Sequence, residues 1–235
     1  MVSDFSITCD ELLPLIGTAQ TPRLIDVCLA QDIAADPWRL PGAQHIAHRN
    51  IMDWINISAP SEPLVIICQK GLKLSHGAAA RLRAAGYDAR ALEGGNQAWT
   101  KANLPKLDLS NAPDCGASWV LPAPTTPHSL CIAWFIRRWF DPDAELIWVP
   151  SSMVTDVADR FDAQPAPKTL SALRARAALE YAPLAAFASS IDEGQAAWLP
   201  LLAALPLMHQ SPEDQFRHAL PIIDAAWVAL REGAQ

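Results

Sequence analysis

A cysteine between a short apolar run and a glycine-containing loop is the part of this sequence best suited to chemistry. Residues 64–67 are four apolar residues, enough for a short buried strand, and Cys68 follows them directly. The loop then contains Gly71. Ser75, a good N-cap residue type, precedes an alanine-rich segment that Gly86 is suited to end. This order predicts a thiol at the carboxyl end of a strand, facing the amino terminus of a helix.

A thiol in that position is a candidate nucleophile. Unpaired backbone N–H groups and the helix dipole stabilise a thiolate or a bound anion there. Lys70 and Lys73 add positive charge to the same loop. The alternative is that Cys68 is a small buried hydrophobic residue, which is the commonest role of a free cysteine. The strand–loop–helix context favours the nucleophile.

The bulk composition limits the classes of function. The 235 residues suffice for one large domain or two ordinary ones, and 51% hydrophobic with 18% charged residues is typical of a soluble globular protein. The net charge of −7 disfavours nucleic acid as a partner. No uninterrupted apolar run approaches the roughly 20 residues that cross a bilayer, so no membrane association is expected.

The cysteines favour a reducing compartment. There are five of them, an odd number without a CxxC spacing, which predicts neither a disulfide framework nor a zinc site. The amino-terminal residues lack a basic segment followed by an apolar core, so we expect no signal peptide. We therefore expect a cytoplasmic protein. The five are Cys9, Cys28, Cys68, Cys115 and Cys131.

Short strand candidates alternate with helix candidates along the first hundred residues. The strands are predicted at about 23–28, 44–47, 64–67 and 87–92, with glycine turns such as Gly94-Gly95 between elements. This alternation predicts a parallel α/β sheet flanked by helices, a class that places ligands outside the carboxyl ends of the strands. Cys68 occupies such a place.

Four segments of this region resemble the rhodanese-like sulfurtransferases, in the same order and at the same spacing. The similarity extends over about residues 5–105. The segments are Leu24-Ile-Asp26-Val, Pro41-Gly42-Ala43, Val65-Ile-Ile-Cys68 and Leu92-Glu-Gly94-Gly95-Asn-Gln-Ala-Trp99.

The resemblance implies a rhodanese-like fold and a carrier role for Cys68. Cys68 would take a sulfane sulfur from a small donor such as thiosulfate or a persulfide, become a persulfide, and pass the sulfur to a thiol or protein acceptor. No metal and no cofactor is required. Asp26 would be a structural hydrogen-bonding residue. The anion- or persulfide-binding loop would comprise Gln69, Lys70, Gly71, Leu72, Lys73 and Leu74, with the helix opening at Ser75.

The loop departs from the common sulfurtransferase pattern. Gln69 stands where the family often has arginine, Cys28 replaces the usual arginine after the Asp26 motif, and the loop is one residue longer. The longer loop also occurs in related phosphatase-type domains. A cysteine phosphatase, however, needs an arginine fork for phosphate at the sixth position after cysteine, which is Leu74 here. Phosphatase chemistry is therefore disfavoured.

The second half of the sequence has a different residue pattern. Residues 108–127 are proline-rich and predict a linker with a short strand at Trp119-Val120 inside it. Residues 128–235 then predict a mainly α-helical domain with a strand at about 145–149. The segment from Trp134 to Pro150 resembles the carboxy-terminal domain of chromate-resistance proteins, in which such a domain can follow a rhodanese-like one.

Arg137 and Arg138 are candidate oxyanion-binding residues, since guanidinium groups suit tetrahedral oxyanions. The alternative is a pair of surface arginines on a helix, ion-paired with one of three following acidic residues. The remaining cysteines are predicted to be structural, although any of them is also a candidate to resolve a persulfide on Cys68. The three acidic residues are Asp141, Asp143 and Glu145.

The sequence thus predicts a rhodanese-like domain at 1–107, a linker at 108–127 and a helical chromate-resistance-type domain at 128–235. The expected activity is sulfur transfer through a Cys68 persulfide, with a link to chromate or oxidative-stress resistance. The alternative is a non-catalytic regulatory protein in which the Cys68 loop senses an oxyanion or oxidation.

Overall fold

The computed structural model describes residues 5–58, 61–112 and 115–233. The chain divides into two compact units. Unit 1 comprises residues 1–16 and 20–110, and unit 2 comprises residues 17–19 and 111–235.

Unit 1 contains a five-stranded, all-parallel sheet in the order β1-β6-β5-β2-β4, with helices around it, and a separate antiparallel pair formed by β3 and β7. This confirms the predicted parallel sheet flanked by helices. The elements in chain order are β1 (Ser6–Ile7), α1 (Cys9–Leu12), β2 (Arg23–Asp26), α2 (Ala30–Ala35), β3 (Trp38–Arg39), β4 (Gln44–His45), α3 (Ile51–Ser58), β5 (Leu64–Ile67), α4 (Lys73–Ala84), β6 (Ala89–Leu92), α5 (Gly95–Lys101) and β7 (Leu107–Asp108).

Strand β5 lies at the centre of the unit 1 sheet, hydrogen-bonded to β2 on one side and β6 on the other. All four of its residues are buried. A strand covered on both faces reads as a continuous apolar run, which is why residues 64–67 show no polar alternation. The core on one face includes Ile25, Ile66 and Leu82.

Unit 2 is largely helical and also contains a three-stranded parallel sheet in the order β10-β8-β9. The elements in chain order are β8 (Ser118–Ala123), α6 (Pro127–Phe135), a π-helical turn (Ile136–Phe140), β9 (Glu145–Pro150), α7 (Val154–Arg160), β10 (Gln164–Pro165), α8 (Leu170–Arg176), α9 (Ala182–Asp192), α10 (Leu199–Ala203), α11 (Leu205–Met208) and α12 (Pro212–Gly233).

The segment predicted as a linker, 108–127, contains β8, the central strand of the unit 2 sheet, which includes the short strand predicted at Trp119-Val120. Trp119, Val120 and Leu121 are buried there. The prolines that suggested a linker flank this short apolar run rather than prevent the strand. Pro113, in the same segment, lies outside the described residues.

Tryptophan and phenylalanine side chains form the core of unit 2. Trp134, Trp139 and Trp227 are fully buried, and ring centroids of Trp139 and Trp227 are 5.5 Å apart in an edge-on arrangement. Such pairs add about 0.5–1.5 kcal/mol beyond the area they bury. These tryptophans therefore contribute to the packing of the unit 2 core.

Candidate active site

Cys68 lies immediately beyond the carboxyl end of β5 and is 4% exposed. Because β2 and β5 are parallel and Asp26 is in register with Ile67, the residues that follow both strands meet at the same edge of the sheet. This geometry brings Cys28, the second residue after β2, to the edge that carries Cys68.

Helix α4 begins at Lys73, two residues earlier than the predicted opening at Ser75. Leu72 is the N-cap residue and provides no side-chain cap. Ser75 is instead the third helical residue and fully buried. Its Oγ lies 3.2 Å from Cys68 Sγ and donates to the Leu72 carbonyl at 3.3 Å. The serine therefore contacts both the Cys68 thiol and the N-cap residue, and it does not cap the helix itself.

Three glycines, Gly71, Gly94 and Gly95, allow the Cys68 loop to lie close to the turn at the start of α5. A Cβ on Gly95 would lie 1.9 Å from the Cys68 carbonyl oxygen, and one on Gly71 would lie 2.5 Å from the Gly94 nitrogen. All three have positive φ, a conformation that side chains other than glycine resist. The close approach explains why glycine occurs both in the loop and in the turn, which are distant in sequence.

The start of α5 also holds the loop through backbone hydrogen bonds. The Asn96 N–H donates to the Cys68 carbonyl at 3.1 Å, and the Gln97 N–H donates to the Gln69 carbonyl at 3.1 Å. The Gly71 N–H donates to the Cys68 carbonyl at 3.4 Å. It is therefore not free to bind an anion, although the predicted role of Gly71 in the anion-binding loop requires a free N–H. The first-turn N–H groups of α4 have no intrahelical acceptor and remain suited to an anion.

A cavity of about 270 Å³ opens on the thiol. Of the predicted loop residues, five line it, whereas Gly71 and Ser75 are buried and do not line it. Lys70 and Lys73 give the cavity positive charge, partly offset by Asp32, a wall residue that the sequence did not indicate. The lining residues are Asp32, Cys68, Gln69, Lys70, Leu72, Lys73 and Leu74.

A second thiol, that of Cys28, lies buried beside this site. The Cys28 N–H donates to Asp26 Oδ1 at 2.8 Å, which agrees with the structural role expected of Asp26. Burial raises the pKa of the Cys28 thiol far above its ordinary value, and the Asp26 carboxylate and the Cys68 thiolate raise it further. Cys28 is therefore held as a neutral thiol, unsuited to be the nucleophile.

Asn96 joins the two cysteine-bearing segments and was not singled out by the sequence. Its Nδ2 lies 3.3 Å from Cys28 Sγ and 3.5 Å from Gln69 Oε1. Its Oδ1 is buried without a hydrogen-bond partner among the described residues. The sequence signal for Asn96 was a polar residue directly after the two consecutive glycines. The direction in which the Asn96 side chain points, however, depends on the fold.

Residues 8–102 match the family model described as the rhodanese-like domain. This span contains the whole Cys68 site just described. Residues 8–102 are a rhodanese-like domain. No curated protein matches the chain.

Solved structures similar to the chain include a rhodanese-like domain protein from Staphylococcus aureus, at 32% identity over 40% of this chain and 89% of that one, with a TM-score of 0.36. A protein from Staphylococcus saprophyticus subsp. saprophyticus is 33% identical over 38% of this chain and 87% of that one, with a TM-score of 0.34. A thiosulfate sulfurtransferase from Pseudomonas aeruginosa is 26% identical over 44% of this chain, with a TM-score of 0.39; the match covers only 19% of that protein.

The rhodanese-like domain does not include the two candidate arginines, which lie on the π-helical turn of unit 2. Arg138 forms a bidentate ion pair with Asp224, at 3.0 Å from Nε and 2.7 Å from Nη2. Arg138 therefore does not pair with the acidic residues that the alternative from sequence named. Asp224 was not foreseen because it lies on α12, far away in the chain.

Arg137 has different surroundings. Its Nη1 donates to the Pro142 carbonyl at 2.6 Å, and its Nε is buried without a partner among the described residues. Burial lowers the pKa of its guanidinium, and Asp141 and Asp143 oppose that shift electrostatically. Arginine nevertheless stays protonated in proteins, so Arg137 is a half-buried cation.

Neither a metal cluster nor a membrane-spanning helix is found in the part of the chain that the structure describes. Within residues 5–58, 61–112 and 115–233, no three His, Cys, Asp or Glu side chains are grouped to hold a metal ion. No helix of those ranges has the length and apolar character to cross a bilayer.

Proposed function

We propose that this protein is a sulfurtransferase whose Cys68 carries a sulfane sulfur as a persulfide. The observation that carries the proposal is the position of the Cys68 sulfur, 3.2 Å from the Ser75 hydroxyl at the start of α4, in a cavity with two lysines. The rhodanese-like domain match supports the same chemistry. The donor would be a small anion such as thiosulfate or a persulfide.

The first step forms the persulfide. The Cys68 thiolate attacks the outer sulfur of thiosulfate, the sulfur–sulfur bond of thiosulfate breaks, and sulfite leaves with the bonding electron pair. Lys70 and Lys73, with the first-turn N–H groups of α4, stabilise the negative charge of the donor and of the persulfide. When the Cys68 sulfur is anionic, the Ser75 hydroxyl donates its single proton to that sulfur instead of to the Leu72 carbonyl.

The second step transfers the outer sulfur. A thiolate, from a small thiol or from a protein, attacks the terminal sulfur of the persulfide, and Cys68 leaves as a thiolate. The cycle uses neither a metal nor a cofactor. A carrier thiol needs a reducing environment, so the proposal keeps the cytoplasm as the compartment. A role in chromate or oxidative-stress resistance rests on the resemblance of the second half.

One observation favours a second function. Two thiols, Cys28 and Cys68, lie at 3% and 4% exposure beyond the ends of adjacent strands. A site this enclosed also suits a non-catalytic domain that binds an oxyanion or registers oxidation at Cys68. In that case the wild-type protein would carry no sulfur at all.

Thiocyanate formation from cyanide, with thiosulfate or 3-mercaptopyruvate as donor, tests the proposal. We expect turnover by the wild-type protein, none by Cys68→Ser, and wild-type rates for Cys9→Ser, a control at a half-buried thiol on α1. Circular dichroism of each variant shows that the fold is retained. Equal activity of Cys68→Ser and wild type would overturn the assignment of Cys68. No turnover by folded, reduced wild-type protein with either donor would favour the sensing function.

A further inference from the structure

Unit 2 contains a cavity of about 360 Å³, a volume in the range of small-molecule sites. One wall is a face of α12. The spacing of its lining residues, i, i+3, i+4 and i+7, places them on one side of the helix; they are Glu213, Phe216, Arg217 and Leu220. The facing wall is β9, whose Leu146 and Trp148 project to the same side because they are two residues apart.

The cationic end of this cavity is formed by the π-helical turn Ile136–Phe140, which contributes Arg137 and Arg138. A π-helical turn is a rare departure from α geometry and occurs frequently at functional sites. Here it continues α6 beyond Phe135 and contains the two arginines that line the cavity.

The charges around the cavity leave one cation without an ion-pair partner. Arg138 is neutralised by Asp224, and Arg217, exposed at the rim, is paired with Asp214. Arg137 forms no ion pair within the described residues, and its buried Nε lacks an acceptor. The carboxylates of Asp141 and Asp143 act on it only electrostatically, and Glu213 is exposed. A single unpaired guanidinium suits one negative charge.

The remaining wall is apolar and aromatic. The rings of Trp148 and Phe216 lie 6.4 Å apart between centroids, and Leu146 and Leu220 extend the surface that they form. Aromatic side chains bind flat apolar groups in stacked or edge-on geometry. An inorganic oxyanion has no group that would use this wall.

We propose that this cavity binds a small organic carboxylate with a flat apolar body, its carboxylate on Arg137 and its body against Trp148 and Phe216. The proposal is independent of sulfur transfer at Cys68, because it concerns residues of the other unit. Of the two arginines predicted to bind an oxyanion, the proposal assigns the anion to Arg137 alone, and it assigns an organic monoanion in place of a tetrahedral oxyanion.

Isothermal titration calorimetry of the full chain with 2-naphthoate tests the proposal. We expect saturable one-to-one binding, and at least tenfold weaker binding of 2-naphthamide, which keeps the shape but lacks the charge. Inorganic phosphate and chromate are the head-group controls, and both are expected to bind more weakly than 2-naphthoate. If chromate or phosphate binds through Arg137 and 2-naphthoate does not, the organic-ligand assignment is wrong.

Two variants test separately the charge of Arg137 and the free volume of the cavity. Arg137→Gln is expected to weaken 2-naphthoate at least tenfold, whereas Arg160→Gln, an exposed arginine on α7, leaves it unchanged. Leu220→Trp fills the cavity without removing a charge and is expected to abolish binding. Its matched control is Leu201→Trp, at an exposed position on α10.

Thermal unfolding of each variant confirms that unit 2 remains folded. Wild-type affinity in either folded Arg137→Gln or folded Leu220→Trp would overturn the proposal. So would the absence of 2-naphthoate binding to the wild-type chain at millimolar concentration.

Discussion

The Ser75 hydroxyl lies 3.2 Å from the Cys68 sulfur, and the proposed chemistry makes that sulfur anionic. A hydrogen bond to a charged group contributes about 1.5–3 kcal/mol, so we expect Ser75→Ala to slow persulfide formation by about tenfold or more. Stopped-flow loading with thiosulfate measures this rate. Ser61→Ala, at an exposed serine, should load at the wild-type rate. Equal rates for both variants would show that Ser75 is only structural.

Asp26 is a buried carboxyl group whose titration should be visible in stability. Burial raises its pKa, and hydrogen bonds from Cys28 offset part of that increase. The pKa of Asp26 in the folded protein therefore exceeds its value in the unfolded chain, ~3.9. The contribution of Asp26 to stability is complete below the unfolded pKa, and it is lost as the pH rises through the folded pKa.

The variant Asp26→Asn removes this titration while keeping an oxygen acceptor for the Cys28 N–H. We expect the free energy of unfolding of the variant, minus that of wild type, to increase as the pH is raised from about 4 toward neutrality. Urea unfolding at several pH values measures the difference. A difference that decreases with pH would contradict the raised pKa.

At the residue scale, the sequence predicted the contiguous part of the candidate site but did not show which residues from distant segments lie beside it. Cys68 and its loop were recognisable because strand, cysteine, glycine and helix follow one another in the chain. Cys28 and Asn96 come from other segments and approach the site only through the pairing of β2 with β5 and the packing of α5. Such contacts depend on packing, which a single sequence does not display.

At the scale of elements, the glycine contacts between the Cys68 loop and α5 fix the position of the thiol. Gly95→Ala would introduce a Cβ 1.9 Å from the Cys68 carbonyl oxygen at a φ of +56°. We expect it to lower the free energy of unfolding by about 2 kcal/mol or more and to impair sulfur loading.

Gly77→Ala is the matched control for that substitution, because Gly77 lies on α4 with nothing within 4 Å of the added Cβ. Alanine in a helix interior should stabilise the protein by about 0.5–1 kcal/mol. Chemical denaturation measures both variants. A Gly95→Ala protein with wild-type stability and loading would show that these contacts do not position the loop.

The boundaries of the helices and strands show where residue preferences for helix ends were sufficient to predict the structure. Gly86, with a φ of +94°, lies just after α4 as predicted. The start of α4 was misplaced because Ser75 is a frequent N-cap type, yet here its hydroxyl faces the Cys68 sulfur, and the helix begins without a side-chain cap. The two-residue strand β10 carries no periodic signal and exists through its pairing with β8.

On the scale of the whole molecule, each unit is built around its own parallel sheet. In unit 2, Asp224 on α12 connects to α6 and the π-helical turn, since it accepts from Trp134 Nε1 at 2.7 Å and from Arg138. Because these contacts join segments that are distant in sequence, they contribute to the stability of unit 2 as a whole rather than to that of a single helix.

Asp224→Asn should therefore destabilise unit 2. It leaves the partly buried Arg138 without its counter-charge, and we expect a loss of about 2–3 kcal/mol in the free energy of unfolding. Asp159→Asn, at an exposed position on α7, should have almost no effect. Near-ultraviolet circular dichroism in denaturant follows the buried tryptophans. A loss below about 0.5 kcal/mol for Asp224→Asn would contradict the role assigned to this pair.

The sequence predicted the fold of unit 1 better than that of unit 2. In unit 1 each strand of the parallel sheet is followed by a helix, so the sequence showed the alternation. In unit 2 the central strand β8 is a short apolar run among prolines, and its place depends on pairing with β9 and β10, both distant in sequence. The strand β9 was recognisable because it is a longer apolar segment.

The most direct test of the central claim is intact-protein mass spectrometry after incubation with thiosulfate, followed by cyanide. We predict that reduced wild-type protein gains the mass of one sulfur atom, that peptide mapping locates it on Cys68, and that cyanide removes it. Cys68→Ser should gain nothing. Folded, reduced wild-type protein that gains no sulfur from thiosulfate or from 3-mercaptopyruvate, or that carries the sulfur on another cysteine, would contradict the account.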